Sequence, residues 1–127
     1  MPKQQFPQPT DGELEVLRIL WSNGPSTVKQ VHELVHKNRP TVYTTTLKVM
    51  QVMHEKGLLV RNDSKYRHIY RPALPEEKTQ RQLVADFLEK AFSGSTEKLV
   101  MHLLSAKKIS AKERAKIRTM LDEIERK

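Results

Sequence analysis

On a helix, His32-Glu33-Leu34-Val35-His36 places two imidazoles one turn apart on one face with a carboxylate beside them. It matches letter for letter the His-Glu-x-x-His pattern in which the histidines hold zinc and the glutamate serves as general base of a protease. A catalytic zinc also needs a third protein ligand and a cleft. His54, His68 and His102 stand in no downstream motif, and Val31, Leu34 and Val35 explain the same helix as a core-facing one with the two histidines at its rim. A second set of residues points to different chemistry. At helical spacing Thr44, Thr45, Lys48, Gln51 and Val52 fall on one side, while Val42, Thr46, Val49, Met50 and Met53 fall on the other. Threonine hydroxyls can bond phosphate or base edges, their methyls can pack on thymine, and Lys48 can donate to guanine or to the backbone. Tyr43 offers its ring to the edge of a core and its hydroxyl to phosphate. Lys65 and Arg67 flank a tight turn from which they reach phosphate or the minor groove. Asp122, Glu123 and Glu125 read as solvent-facing partners of neighbouring cations, and no glycine-rich phosphate loop occurs. The expectation is a binding protein rather than an enzyme, with no catalytic residue, no cofactor and no metal.

Charge supports that expectation. The 127 residues carry 23 Lys and Arg against 15 Asp and Glu, a formal net charge of +8 and a pI near 9.8, which favours polyanionic partners, nucleic acid first with an anionic membrane surface behind it, and double-stranded DNA in particular once the candidate reading helix is counted. Residues 36–71 hold Lys37, Arg39, Lys48, Lys56, Arg61, Lys65, Arg67 and Arg71 against only Glu55 and Asp63, so positive charge is densest around the candidate reading helix and its hairpin. There is no cysteine, which excludes disulfide scaffolds, thiolate metal sites and cysteine nucleophiles. The proline-broken start, Met1 to Pro9, has no apolar run fit for a signal peptide, and nowhere do apolar residues approach the ~20 needed to span a bilayer. A cytoplasmic chain with no membrane partner is expected.

The elements that must position these residues are legible in order. Thr10-x-x-Glu13 is a capping box opening a first helix, whose Leu14, Leu17 and Trp21 stripe is widened by Val16, Ile19 and Leu20 and stopped by Asn23-Gly24-Pro25. Ser26 or Thr27 caps a second helix carrying Val28, Val31, Leu34 and Val35. A third runs from about Thr41 to Lys56 and closes at Gly57. Residues 58–71 then form β-rich runs about the turn signal Asp63-Ser64, a hairpin. After Pro72-Ala73-Leu74-Pro75 the pattern is helical to the end, in three segments, the last capped by Ser110-x-x-Glu113.

Helix, helix, helix, hairpin is the order of a winged helix-turn-helix. The fold class is therefore mainly α with a small β-hairpin wing: a flexible arm over 1–9, a winged-helix DNA-binding domain over 10–72 and a helical dimerisation region over 73–127. Three short amphipathic helices bury too little to stand alone, so they need another surface, and a proline-rich linker favours a second copy. Leu83, Phe87, Leu88, Leu99, Leu103, Ile117, Leu121 and Ile124 are the residues expected to pair. Two readings from other classes stay open: a small zinc metalloprotease through His32-Glu33-x-x-His36, and a winged-helix protein-interaction module.

The stretch Glu13-Leu14-Glu15-Val16-Leu17-Arg18-Ile19-Leu20-Trp21, the threonine-rich third helix leading to Glu55-Lys56-Gly57-Leu58-Leu59, the Tyr66-to-Tyr70 strand and the segment Leu99-Val100-Met101-His102-Leu103 resemble the penicillinase-repressor family of bacterial regulators. The likeness runs from about Thr10 to the C-terminus. It implies a winged-helix repressor that binds an inverted-repeat operator as a homodimer through intertwined C-terminal helices. In members that answer β-lactams a regulatory protease severs an Asn-Phe bond in those helices, and the matching positions here are His102 and Leu103. Copper-responsive members carry a C-terminal cysteine cluster, which this chain lacks, so the inducing signal stays open.

Overall fold

The computed structural model describes residues 8–63, 67–106 and 108–126. Thr10 starts α1 (Asp11–Asn23) with a complete capping box: its hydroxyl accepts the Glu13 N–H at 3.2 Å and its own N–H donates to Glu13 Oε1 at 2.9 Å. Gly24 ends the helix at φ 83°, ψ −178°. That is positive-φ backbone as the sequence demands, though in the extended region open essentially to glycine rather than in the left-handed helical one. Of the two residues expected to cap α2 (Val28–Asn38), Thr27 does so, in a second capping box with Gln30. α3 (Tyr43–Lys56) begins two residues later than its polar pattern suggested. Val42 occupies the cap position in extended backbone, where it is 67% exposed instead of joining the core-facing stripe. Gly57, at φ 88° and ψ 10°, closes α3 in the left-handed conformation.

Strands β1 (Leu59–Asp63) and β2 (His68–Pro72) pair antiparallel, with Arg61 opposite Tyr70 and Asp63 opposite His68. Strand β2 also bonds backward, since Ser26 N–H donates to Tyr70 O at 3.0 Å and Tyr70 N–H to Ser26 O at 2.8 Å. The wing is thereby pinned to the residue preceding the α2 cap. Side chains from α1 (Val16, Leu17, Leu20), α2 (Val28, Val31, Val35) and α3 (Met50, Met53), with Leu58, Leu59 and Tyr70, make one core. Tyr70 is the largest fully buried side chain in it. At this core's rim Lys56 Nζ of α3 donates to both oxygens of Glu13 on α1 at 2.8 and 2.9 Å.

Three further helices follow, α4 (Glu76–Phe92), α5 (Thr96–Ala106) and α6 (Ala111–Glu125). Ser110 caps α6, accepting the Glu113 N–H at 3.1 Å. The chain divides into two compact units, residues 1–83 and 84–127. Trp21 Nε1 donates to Leu74 O at 3.2 Å, so the Pro72–Pro75 stretch and the first turns of α4 belong to the first unit. No helix among the described residues is long and apolar enough to cross a membrane.

Candidate nucleic-acid interface

Why α3 presents a polar face follows from its packing. Thr46, Met50 and Met53 recur at helical spacing and are buried, which turns Thr44, Thr45, Lys48 and Gln51 outward, all of them exposed. Val52 is half-buried, so of the face expected from the sequence it alone is partly withdrawn. Tyr43, 43% exposed, sets its ring edge-on to His32 with centroids 5.5 Å apart. That contact sets the ring against α2.

Beside this face lies a groove of about 420 Å³, lined by Thr27, Lys29, Tyr43, Gln51, Arg61, Arg67 and His68 among others. It runs from the capped start of α2 past α3 to the wing. Tyr43, Gln51 and Arg67 of the expected set meet in it; Thr44, Thr45 and Lys48 stand on the exposed face of α3 outside its lining, and Lys65 lies outside the described residues. Lys29 and Arg61 were missed. Lys29 sits one residue past the start of α2, where backbone N–H groups and the helix dipole also favour an anion, and the α2 capping box was the signal that could have found it. Arg61 was counted only as charge, and the antiparallel register is what brings it to this groove.

Arg61 is not a lone cation. Its Nε lies 2.6 Å from Asp63 Oδ1, and His68 Nδ1 lies 2.8 Å from the same oxygen. A hydrogen bond from Arg61, with the charges of Arg61 and His68 in support, holds the Asp63 carboxyl below the ordinary carboxylate range. The Arg61 pairing runs along β1 and the His68 contact crosses to β2, and together they offset part of the charge there.

The His-Glu-x-x-His helix forms as the spacing predicted, but its histidines turn toward the α2–α3 turn. His32 Nδ1 bonds Thr46 Oγ1 at 3.0 Å, and His36 Nδ1 lies 3.1 Å from both N and O of Thr41. No three His, Cys, Asp or Glu side chains converge as a metal cluster among the described residues, so the third ligand that proteolysis demands is not supplied.

In the second unit the apolar side chains remain largely uncovered. Phe87, Val100, Met101, Leu103, Met120, Leu121 and Ile124 are each 42–70% exposed. Of the residues expected to pair two copies, Leu88, Leu99 and Ile117 are half-buried, Phe87, Leu103, Leu121 and Ile124 are exposed, and Leu83 falls in the first unit beside Leu17 and Leu58. His102, on α5, sets its ring 5.6 Å from that of Phe92.

Residues 9–123 match the family model described as penicillinase repressor. The chain is 33% identical over 118 residues to a protein of Mycobacterium tuberculosis named transcriptional regulator BlaI, covering 90% of this chain and 84% of that one. It is 22% identical over 120 residues to the penicillinase repressor of Bacillus licheniformis, covering 94% of each. Among solved structures, the solution structure of the DNA binding domain of the repressor BlaI superposes with a TM-score of 0.52 at 23% identity, over 58% of this chain and 90% of that one. At that identity the superposition speaks for the winged-helix fold.

Proposed function

The chain belongs to the penicillinase repressor family and is a DNA-binding transcriptional repressor, and from that premise we propose that it grips an inverted-repeat operator as a homodimer. The observation that carries this reading is the exposed polar face of α3 beside a cation-lined groove. α3 enters the major groove, where Thr44, Thr45, Lys48 and Gln51 meet base edges. Lys29, the start of α2, Tyr43 and Arg67 hold the flanking backbone. One such reader contacts one half-site. Two joined through the apolar faces of α4, α5 and α6 act at high effective concentration, so two weak half-sites make one firm grip. The exposed leucines, isoleucine and phenylalanine of the second unit support the pairing, because three amphipathic helices that leave so many large apolar side chains in water lack a partner surface.

Release then needs only loss of the pairing. A protease that severs α5 at His102–Leu103, or any ligand that separates the paired helices, frees the promoter without touching α3. Selecting duplex fragments from the source genome on the full chain tests the reading: inverted repeats bound with a steep salt dependence are expected, and recovery of no fragment at moderate salt would leave a protein-docking winged helix in its place.

A further inference from the structure

The histidine pair of α2 is not used by the repressor reading, and its surroundings suit a different ligand. His32 and His36 lie one helical turn apart with ring centroids 5.7 Å apart and planes inclined at 39°. Each ring is held by its Nδ1, His32 by the hydroxyl of the buried Thr46 and His36 by the backbone of Thr41. The Nε2 atoms are the nitrogens left over, and among the described residues they have no hydrogen-bond partner.

Metal-ligating histidines are held in this manner, one nitrogen on the ion and the other tied to a supporting group that fixes the ring. Both supports serve either tautomer. A threonine hydroxyl donates or accepts, and Thr41 offers an N–H and a C=O at 3.1 Å from the same nitrogen. Moving the proton to Nδ1, as metal on Nε2 requires, therefore costs neither ring its hydrogen bond. Zinc–nitrogen bonds of ~2.0–2.1 Å set two ring centroids roughly 5 Å apart, close to the 5.7 Å that separates these two rings. With two protein ligands and water in the remaining positions, the site suits exchangeable binding of an imidazole-preferring divalent ion of the zinc, nickel and copper class.

We propose that His32 and His36 form a transition-metal site that braces the α2–α3 turn. Occupancy couples α2 to the start of α3 through Thr41 and Thr46, and the His32 ring touches Tyr43. The site is chemically distinct from a zinc protease centre, because Glu33 has no role in it and water fills the positions that further protein ligands would take.

Titrating zinc chloride into the full chain by calorimetry tests the site without DNA, so its outcome is separate from that of the operator reading. One ion per chain is expected. Its affinity should fall at least tenfold in the His32→Ala/His36→Ala double variant, stay unchanged in His68→Ala, and fall roughly tenfold in Thr46→Val, which removes only the supporting hydroxyl. Long-range proton–nitrogen spectra of the unaltered protein provide a check that requires no variant to fold: zinc should shift the Nε2 resonances of His32 and His36. Equal affinity in the double variant, no loss in Thr46→Val, or shifts confined to His54, His68 or His102 would each overturn the proposal.

Discussion

Lys48 and Glu13 show how single side chains divide between recognition and stability. Lys48 is exposed on the outward face of α3 with its stem on a rigid helix. Lys48→Ala should leave thermal stability within about 0.5 kcal/mol and cost about 1–3 kcal/mol of affinity for the selected operator, measured by fluorescence anisotropy at fixed salt. Glu13 is buried and does two jobs, closing the α1 capping box and receiving Lys56. Burial acts to raise its pKa, but the hydrogen bonds from Lys56 and Thr10 outweigh burial and hold it below its ordinary 4.5. The folded carboxyl thus binds protons more weakly than the unfolded one. Its contribution is complete above that ordinary value and is lost as the pH falls through the lower folded value. Glu13→Gln should cost about 1–3 kcal/mol at neutral pH and flatten the acid limb of the stability curve, as denaturant titrations at stepped pH would record. An unchanged acid limb would show that other carboxylates set it.

Among the elements, the connection between α3 and the wing fixes where the reading surface ends. Gly57 turns the chain at φ 88°, and a Cβ added there would meet nothing within 4 Å. Gly57→Ala should therefore act through backbone strain alone, lowering stability by about 1–2 kcal/mol while saturating DNA affinity is kept. A larger loss in differential scanning calorimetry would mean that the wing had moved. The wing's position was beyond sequence patterns because two long-range bonds decide it, Ser26 to Tyr70 in both directions. Alternation marked residues 58–71 as a hairpin but could not say which earlier residue would lie beside it. Those bonds, with the burial of Tyr70, bring Arg61 and Arg67 toward the groove beside Lys29. For the same reason Arg61, on β1, escaped a reading made element by element.

For the whole molecule, the proposed pairing rests on a contrast between its two units. The first buries most of its large apolar side chains in one core, with Val42 the main exception, whereas the second leaves Leu103, Leu121 and Ile124 at 56–70% exposure. Because these side chains are already in water within one chain, charging them should spare the monomer's fold. Leu121→Glu with Ile124→Glu should convert a sedimenting dimer to a single subunit and weaken operator binding at least tenfold, with little change in the helical circular dichroism. If that variant bound DNA as firmly as the parent chain, the pairing account would fail.

The sequence alone determined the order of elements, their caps and the outward face of α3, since helix periodicity, capping boxes and glycine stops are local and act within a few residues. His32-Glu33-x-x-His36 shows the limit of such reading: its letters fit a protease, and only the packing of α2 against α3 sets the supports of its imidazoles, Thr46 and Thr41. The groove joining α2, α3 and the wing, the partial withdrawal of Val52 and the attachment of Leu83 to the first unit were likewise decided by tertiary structure. Each depends on which distant surface a side chain meets, and that is set by burying one shared core rather than by any residue's neighbours along the chain.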